Sequence, residues 1–300
     1  MAKKTREESE EFFLLKKVAI RLFGSTADKH SNLFLSLKYA LKNADAKVLF
    51  RTYLSLNFFL SFLVFILGVI ISGIIFYFLP FETISFILGV ILLPLIYSFL
   101  TFLLIYIYPT SVATRRKNDI ETNLPFSLIH MAAIASSGTP PRTIFKILSQ
   151  FKEYGEISNE AEKIDRNINF FGLDEIKALK EVIAKTPSPA FRDVLQGILI
   201  TIQTGGNLKT YLKEEAEKAM FEYNLKRSRY TQTLSVYADF YTALLIAAPL
   251  VFITILSVLN IVGGTIFGIP IQDLINIGIF LMVFLNILFI AFIQFTQPRL

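Results

Sequence analysis

Apolar residues concentrate in two blocks, 53–108 and 236–295, while elsewhere they recur every three or four positions among polar ones. Crossing a bilayer core takes about 20 consecutive apolar residues in a helix, and each block is over twice that long. Each block therefore reads as a helical hairpin. In the first, 53–79 and 84–107 flank Pro80-Phe81-Glu82-Thr83. In the second, 236–259 and 274–295 flank Gly263-Gly264-Thr265-Ile266-Phe267-Gly268-Ile269-Pro270. Proline and glycine suit such reversals. The first run exceeds what a bilayer needs, which predicts tilt or protrusion. Pro94 predicts a kink within the second span, with a neighbouring helix satisfying the freed carbonyl.

Between the blocks the period becomes that of amphipathic helices. Residues 120–135 form one segment, closed by Ser136-Ser137-Gly138, and Thr139 as cap with Pro140 in the first turn opens the next. Ile144, Ile147, Leu148 and Phe151 then share a face, and Gly155 ends that helix. Ile157, Ala161, Ile164, Ile168 and Phe171 continue the rhythm up to Gly172. Asp174 caps a fourth helix with the stripe Ile176, Leu179 and Ile183. Thr186-Pro187-Ser188-Pro189 breaks it and starts a fifth, with Ser188 as cap, Pro189 in the first turn, and Phe191, Val194, Leu195, Ile198 and Ile202 inward. Gly205-Gly206 closes this helix. Asn207 caps a sixth, carrying Leu208, Leu212, Ala216, Ala219 and Tyr223, which is expected to run unbroken through Arg229 and Tyr230 into the third span. Six amphipathic helices on short turns pack as a bundle.

The first 52 residues are helical too. Phe12, Leu15, Ala19, Leu22 and Phe23 make one stripe, ended by Gly24-Ser25, and a second helix starts near Ser31-Asn32 with Leu33, Leu37 and Leu41. Packing on the bundle or lying on the membrane surface is the expected role, with partner recruitment the alternative. The whole is an all-α integral membrane protein with four transmembrane helices in two hairpins and a cytoplasmic six-helix bundle. Its segments are 1–52 (amphipathic helices), 53–108 (hairpin), 109–235 (bundle) and 236–300 (hairpin and short tail).

Charge sets the orientation. Of 30 Lys and Arg residues, eleven lie in 1–52 and eighteen in 109–235; the last is Arg299, and the loops 80–83 and 260–273 have none. Cationic residues stay on the cytoplasmic side, so both termini and the central segment are expected inside a multi-pass protein of the plasma (inner) membrane. The net charge of +6 is read as fixing topology and meeting anionic lipid, with no nucleic-acid partner. There is no cysteine, which excludes disulfides and thiolate chemistry. The charged N-terminus lacks the apolar core of a signal peptide, so the first span is expected to direct insertion. Tyr53, Tyr77, Tyr106, Tyr108, Tyr237 and Tyr241 sit near span ends and suit interfacial anchoring.

Catalytic chemistry finds little support. His30 and His130 lack a metal-site neighbourhood. The loop Thr204-Gly205-Gly206-Asn207-Leu208-Lys209-Thr210 has Leu208 and Gln203 where a phosphate loop needs glycine. Glu214, Glu215 and Glu217 read as a solvated face. Asp239 is the one ionisable residue within a span, near its cytoplasmic end, and suits an interfacial or interhelical bond; a coupling or ion-handling role is the alternative. Asn57 and Asn286 read as links between membrane helices. No enzyme activity, cofactor or metal is predicted.

Several short pieces occur in a telling order: Asn123-Leu124-Pro125, Ser137-Gly138-Thr139-Pro140, Thr186-Pro187-Ser188-Pro189-Ala190-Phe191, Gly197, and Gly205-Gly206-Asn207-Leu208-Lys209-Thr210-Tyr211-Leu212 before a charged helix entering a span. Over residues 115–255 the chain resembles the F-domain family of type II secretion and type IV pilus systems, the membrane platforms of pili, tight-adherence systems and archaella. Its Thr-Pro-Ser-Pro and Gly-Gly-Asn-Leu forms look most like archaeal members. The resemblance implies a non-enzymatic platform that couples a hexameric secretion ATPase to pilin-like subunits. Many such platforms hold two bundles; this chain has one, implying a homodimer or a heterodimer with a sister platform. Gly138, Pro140, Pro187, Pro189, Gly205 and Gly206 are its structural turns. Arg115, Arg116, Lys117, Lys226, Arg227 and Arg229 are the candidate ATPase contacts, with lipid headgroups the competing partner. A small secondary transporter using Asp239, or a passive anchor for a soluble complex, are the readings from other classes.

Overall fold

The computed structural model describes residues 2–46, 48–78, 83–263, 265–266 and 268–296; side chains are described except at 2–15, 76–78, 83–88, 262, 265–266 and 295–296. The chain divides into two compact units, residues 1–213 and 214–300. Four of its helices are long and apolar enough to cross a membrane, in the stretches Phe50–Ile75, Gly89–Ser136, Leu208–Ile261 and Ile271–Gln294.

The first unit opens with α1 (Ala2–Lys29), a 3-10 turn (Ser31–Phe34) and α2 (Leu35–Asn43). α1 does not end at Gly24-Ser25. It continues because Gly24 lies on the face toward the next helix, where a Cβ would already meet the Arg51 guanidinium at 3.3 Å. Ala19, Gly24 and Ala27 are buried while Leu22 points outward, so the inward stripe is offset from the one the apolar pattern suggests. Phe12 and Leu15 lie outside the described side chains. In α2, Leu37, Ala40 and Leu41 are buried, and Leu33 before it is exposed.

α3 (Phe50–Phe78) and α4 (Thr83–Ser136) form the first hairpin. α4 is one helix of 54 residues containing Pro94, Pro109 and Pro125. The span and the first amphipathic segment are therefore continuous, with no joint at 108–109. A proline inside a helix strips the carbonyl four residues earlier of its partner. Pro109 frees the Ile105 carbonyl, and Tyr53 Oη donates to it at 2.6 Å. Pro94 frees the Val90 carbonyl, and Ser72 Oγ reaches it at 3.4 Å. Gly68 lets Pro94 approach, since a Cβ there would stand 3.1 Å from the Pro94 Cβ. Asn57 Nδ2 donates to the Phe102 carbonyl and Ser98 Oγ to the Ser61 carbonyl, at 3.3 and 2.8 Å. Neighbouring helices thus supply what prolines remove, as lipid surroundings require. Tyr53→Phe removes only the hydroxyl and strands the Ile105 carbonyl. We expect it to cost about 1–3 kcal/mol, read as an earlier unfolding midpoint in detergent, with Tyr108→Phe as the neutral comparison.

Beyond the hairpin follow α5 (Pro141–Gln150), a 3-10 turn (Lys152–Tyr154), α6 (Glu156–Asn169), α7 (Glu175–Ile183), α8 (Pro189–Thr204) and α9 (Leu208–Phe240). The cap of α5 is Pro140 and the first-turn proline is Pro141, one residue later than expected. Thr139 instead turns its hydroxyl back onto the Ile134 carbonyl at 2.6 Å, closing α4. Asp174 accepts from Ile176 N–H and Ser188 from Phe191 N–H, as N-caps do. Gly205 ends α8 at φ 68°, and Asn207 Oδ1 accepts from Thr210 N–H. The core holds Leu124, Leu128, Met131, Ile144, Leu148, Ile157, Ile164, Leu179, Phe191 and Leu195. Phe171 is not part of it: α6 stops at Asn169, and Phe170 and Phe171 stack edge to face on the surface.

In the second unit α9 passes without a break into a π-helical segment (Tyr241–Ala247) and α10 (Ala248–Val262). Pro249 explains the widened turns. Its ring would crowd the Leu245 carbonyl, and shifting the preceding bonds to a five-residue register, as in Ala248 N–H to the Ala243 carbonyl, relieves the clash. The loop after α10 holds a short antiparallel pairing of β1 (Thr265–Ile266) with β2 (Ile269–Pro270), which the apolar pattern did not suggest. α11 (Ile271–Thr296) completes the second hairpin.

Candidate functional site

α4 carries charged side chains at Arg116, Asp119 and Glu121 that hold other elements: the first two hold α6, Arg116 also the end of α2, and Glu121 the turn before α8. Arg116 is buried in line with Ala113, Ile120, Leu124 and Leu128. Its Nε donates to Glu156 at 2.7 Å, one terminal nitrogen to Glu160 at 2.5 Å, and the other to the Asn43 carbonyl at 2.7 Å. One guanidinium thus joins α4, α6 and the end of α2, using the planar fork that lysine lacks. Glu160 is itself buried on the Ile157, Ala161, Ile164 face and also meets Lys163 at 3.0 Å; Lys163 reaches Asp45 at 2.5 Å.

One turn on, the Asp119 carboxylate accepts from Glu156 N–H at 2.6 Å, capping α6 from a neighbouring helix. The approach depends on Gly155, at φ 53° and ψ −120°, where an added Cβ would collide with the Asp119 carboxylate. Asn123 Nδ2 donates to the Asp119 carbonyl at 3.0 Å. Glu121 then accepts from Ser188 Oγ at 3.2 Å, so the hydroxyl that caps α8 also ties the buried turn Thr186-Pro187-Ser188 to α4. The turn Pro187-Ser188-Pro189 is in this way a docking piece as well as a helix start.

A polar cleft of about 390 Å³ opens beside this junction, lined by Ala44, Asp45, Arg116, Glu156, Asn159, Glu162, Lys163 and Arg166. Its three cations and three carboxylates balance, so it presents no net charge to a ligand. At its rim the hydrogen-bonded Lys152 ammonium, at 2.8 Å, holds the Glu162 carboxyl below the ordinary carboxylate range. That pair stabilises the fold above the unfolded carboxyl's pKa, and its contribution fades as pH falls through the lowered value. Both partners are exposed, so solvent screens the effect. Among the described residues no group of three His, Asp or Glu side chains could hold a metal. His130 packs on the edge of Phe151 and bonds Tyr154 Oη at 3.2 Å, a packing role.

The start of α9 is fixed by an aromatic and a glycine. Tyr211 Oη donates to the Val194 carbonyl at 3.1 Å, and its ring lies where a Cβ on Gly197 would stand. Gly197→Ala is expected to expel the Tyr211 ring, with a cost of about 1–3 kcal/mol typical of overpacking. Faster proteolysis at 205–213, with cleavage elsewhere unchanged, is the readout.

The candidate contact residues fare differently. Arg115 is exposed and Lys117 half-exposed, 3.9 Å from Glu121, whereas Arg116 is inside the junction. Lys226, Arg227 and Arg229 are exposed in the second unit. Of the turns, Gly138 (φ 74°) and Gly205 (φ 68°) need a left-handed residue. Asp239 is exposed on its helix, and from it to Asn260 is about 32 Å at 1.5 Å per residue, a full bilayer core. It stands at one end of a stretch long enough to cross the lipid core. In the second hairpin, Tyr241 Oη donates to Asn286 Oδ1 at 2.8 Å, a polar contact between its two helices.

Sequence reading missed Asp119, Gly155, Glu156 and Glu160 in these roles. A signal was present for two residues of the junction. Arg116 and Glu160 each occupy a position of an otherwise apolar stripe, where a charge needs a partner.

These features define a multi-pass helical membrane protein whose amphipathic helices are continuous with its spans. Residues 127–256 match the family model for type II secretion system (T2SS), protein F. Over those residues the chain is similar to that family, as its motifs led us to expect. Three proteins of Methanocaldococcus jannaschii are similar to it. An uncharacterized protein is 27% identical over 139 residues, 46% of this chain and 23% of the relative. Flagella accessory protein J is 26% identical over 137 residues, 45% and 24% respectively. A second uncharacterized protein is 26% identical over 124 residues, 41% and 37%. The chain thus spans about a quarter of the first two relatives' length and over a third of the third's. No solved structure matches.

Proposed function

We propose that this chain is a non-enzymatic platform of a type IV pilus-like or archaellum-like filament machine, coupling a cytoplasmic secretion ATPase to insertion of pilin-like subunits. The observation that carries the reading is the family domain's extent. Residues 127–256 begin in α4 and end in α10, so they include amphipathic helices and membrane-spanning helix together. A helix unbroken from α9 through α10 gives a force applied at its cytoplasmic end a stiff path into the membrane. The name of one relative, Flagella accessory protein J, points the same way.

The Lys and Arg distribution supports a cytoplasmic bundle and both termini inside. Arg115 and Lys117 in the first unit and Lys226, Arg227 and Arg229 in the second are the proposed ATPase contacts; Arg116 is withdrawn because its guanidinium is engaged within the fold. A single bundle supports self-pairing or pairing with a sister platform. Asp239 at the end of its stretch gives a transporter reading no midplane site.

The test is co-purification with the tagged secretion ATPase of the same cell, with turnover measured with and without the platform. Stable association and altered turnover, both lost on charge reversal at Arg115, Lys226, Arg227 and Arg229, support the reading. An ATPase indifferent to the chain rejects coupling.

A further inference from the structure

α1, the 3-10 turn and α2 wrap the lower end of the first hairpin. Asp28 pairs with Arg51 at 2.9 Å, and Phe23 lies against Phe58, Phe59 and Phe62, with ring centroids 5.7–6.5 Å apart. α1 therefore runs antiparallel along the first turns of α3. Phe34 packs against Phe58, Phe102 and Tyr106, and Ser36 bonds the Tyr106 hydroxyl at 2.8 Å. Ala27, Leu37, Leu41 and Leu54 form the small core of this collar.

α3 has 29 residues, about 43 Å of helix, where a lipid core is about 30 Å thick. The collar sheathes α3 from Phe50 to Phe62, leaving about 24 Å beyond it to Phe78. A lipid core laid over the unsheathed part puts the collar at its headgroup boundary, next to the exposed Leu63, Ile66 and Leu67 of α3.

The collar's outer surface is apolar where a water-facing one would be polar. Val18, Leu22, Leu33, Leu35, Tyr39 and Leu49 are all exposed, Leu33 and Leu49 by 74% and 78%. Beside them stand Lys17, Arg21, Lys38 and Lys42, also exposed. Residues 16–51 hold eight Lys and Arg against two carboxylates, Asp28 and Asp45, and both carboxylates are already paired, with Arg51 and Lys163. On α1, Val18 and Leu22 lie beside Lys17 and Arg21, each pair four residues apart. Such a helix buries its apolar pair at the acyl boundary while the longer cations reach the headgroups.

We propose that this collar is an interfacial membrane anchor. Its outward Val, Leu and Tyr side chains enter the headgroup–acyl boundary of the leaflet from which α3 starts, and its lysines and arginines bind anionic lipid phosphates. The occupant is lipid because the patch adjoins the exposed flank of α3 at Leu63, Ile66 and Leu67 and, over residues 16–51, holds eight cations whose only two carboxylates are already paired. The anchor stands independently of any filament partner.

The chain has no tryptophan, so a single one reports its own surroundings. The full-length protein carrying Leu22→Trp or Leu35→Trp is reconstituted in vesicles of brominated phosphatidylcholine, with or without phosphatidylglycerol. Leu67→Trp marks the lipid-facing reference and Phe171→Trp the bundle surface. Both collar tryptophans should be quenched close to the Leu67→Trp level, and more strongly with phosphatidylglycerol. Adding Lys17→Gln, Arg21→Gln, Lys38→Gln and Lys42→Gln should abolish the phosphatidylglycerol effect. Quenching of either collar tryptophan at only the Phe171→Trp level overturns the anchor. A phosphatidylglycerol effect that survives the four changes overturns the headgroup role of the cations. All of these positions are exposed, and unchanged thermal midpoints verify that the variants fold.

Discussion

Arg116→Met is expected to destabilise the first unit by about 3–5 kcal/mol, the largest effect of any single change, because it removes the guanidinium shared by the buried Glu160 and the partly buried Glu156. Glu160 is the more exposed to this loss in energetic terms, being the more buried: its side chain is 1% accessible and keeps only the Lys163 contact. The Asn43 carbonyl also loses its donor, loosening the end of α2. Chemical denaturation of the protein in detergent would give the midpoint. The charge-matched double variant Arg116→Met/Glu160→Met should recover a large part of the loss, since removing both members of a buried pair costs far less than removing one. If the single and double variants unfold alike, the junction is held by packing and the ion pair is incidental. The same comparison bears on function. Were Arg116 an ATPase contact, the single variant would lose ATPase association at unchanged stability, and the structure leads us to expect the opposite.

Gly155→Ala should be the next most damaging change. The backbone there has φ 53° and ψ −120°, a region essentially closed to residues with a Cβ, and strain of this kind costs about 1–3 kcal/mol. The added methyl group also displaces the Asp119 carboxylate from Glu156 N–H, and a lost helix cap is worth about 1 kcal/mol more. Asp119→Ala removes only the cap. Gly155→Ala should therefore lower the unfolding midpoint further than Asp119→Ala does. Equal shifts would mean that the glycine serves the cap alone. Hydrogen exchange at Glu156 and Asn159 amides, at the start of α6, should accelerate in both variants.

The turn chemistry was legible because it is local. Asp174, Ser188 and Asn207 cap the helices assigned to them, and Gly205 takes the left-handed end. Where two prolines adjoin, at Pro140-Pro141, the helix start moved by one residue, since either ring satisfies the same local preference. Phe171 was misassigned to a buried stripe because its spacing continues a rhythm that the chain itself abandons after Asn169. The candidate site was legible only in part. Gly197, Gly205 and the Pro187-Ser188-Pro189 turn were singled out as motif pieces. Their work, making room for Tyr211 or offering Ser188 to Glu121, involves residues 14 and 67 positions away in sequence.

By itself the sequence determined the number of long apolar stretches, the all-helical class and the family resemblance, because lipid thickness demands long apolar runs and short-range backbone preferences punctuate the rest. Tertiary structure decided which prolines interrupt a helix and which are tolerated: Tyr53 and Ser72 supply the donors that Pro109 and Pro94 call for, from another helix. It also decided that Arg116 faces inward while Arg115 and Lys117 do not. A charge is placed by the partners that distant segments bring to it, and in this chain those partners, Asn43, Glu156 and Glu160, come from both sides of Arg116 in sequence.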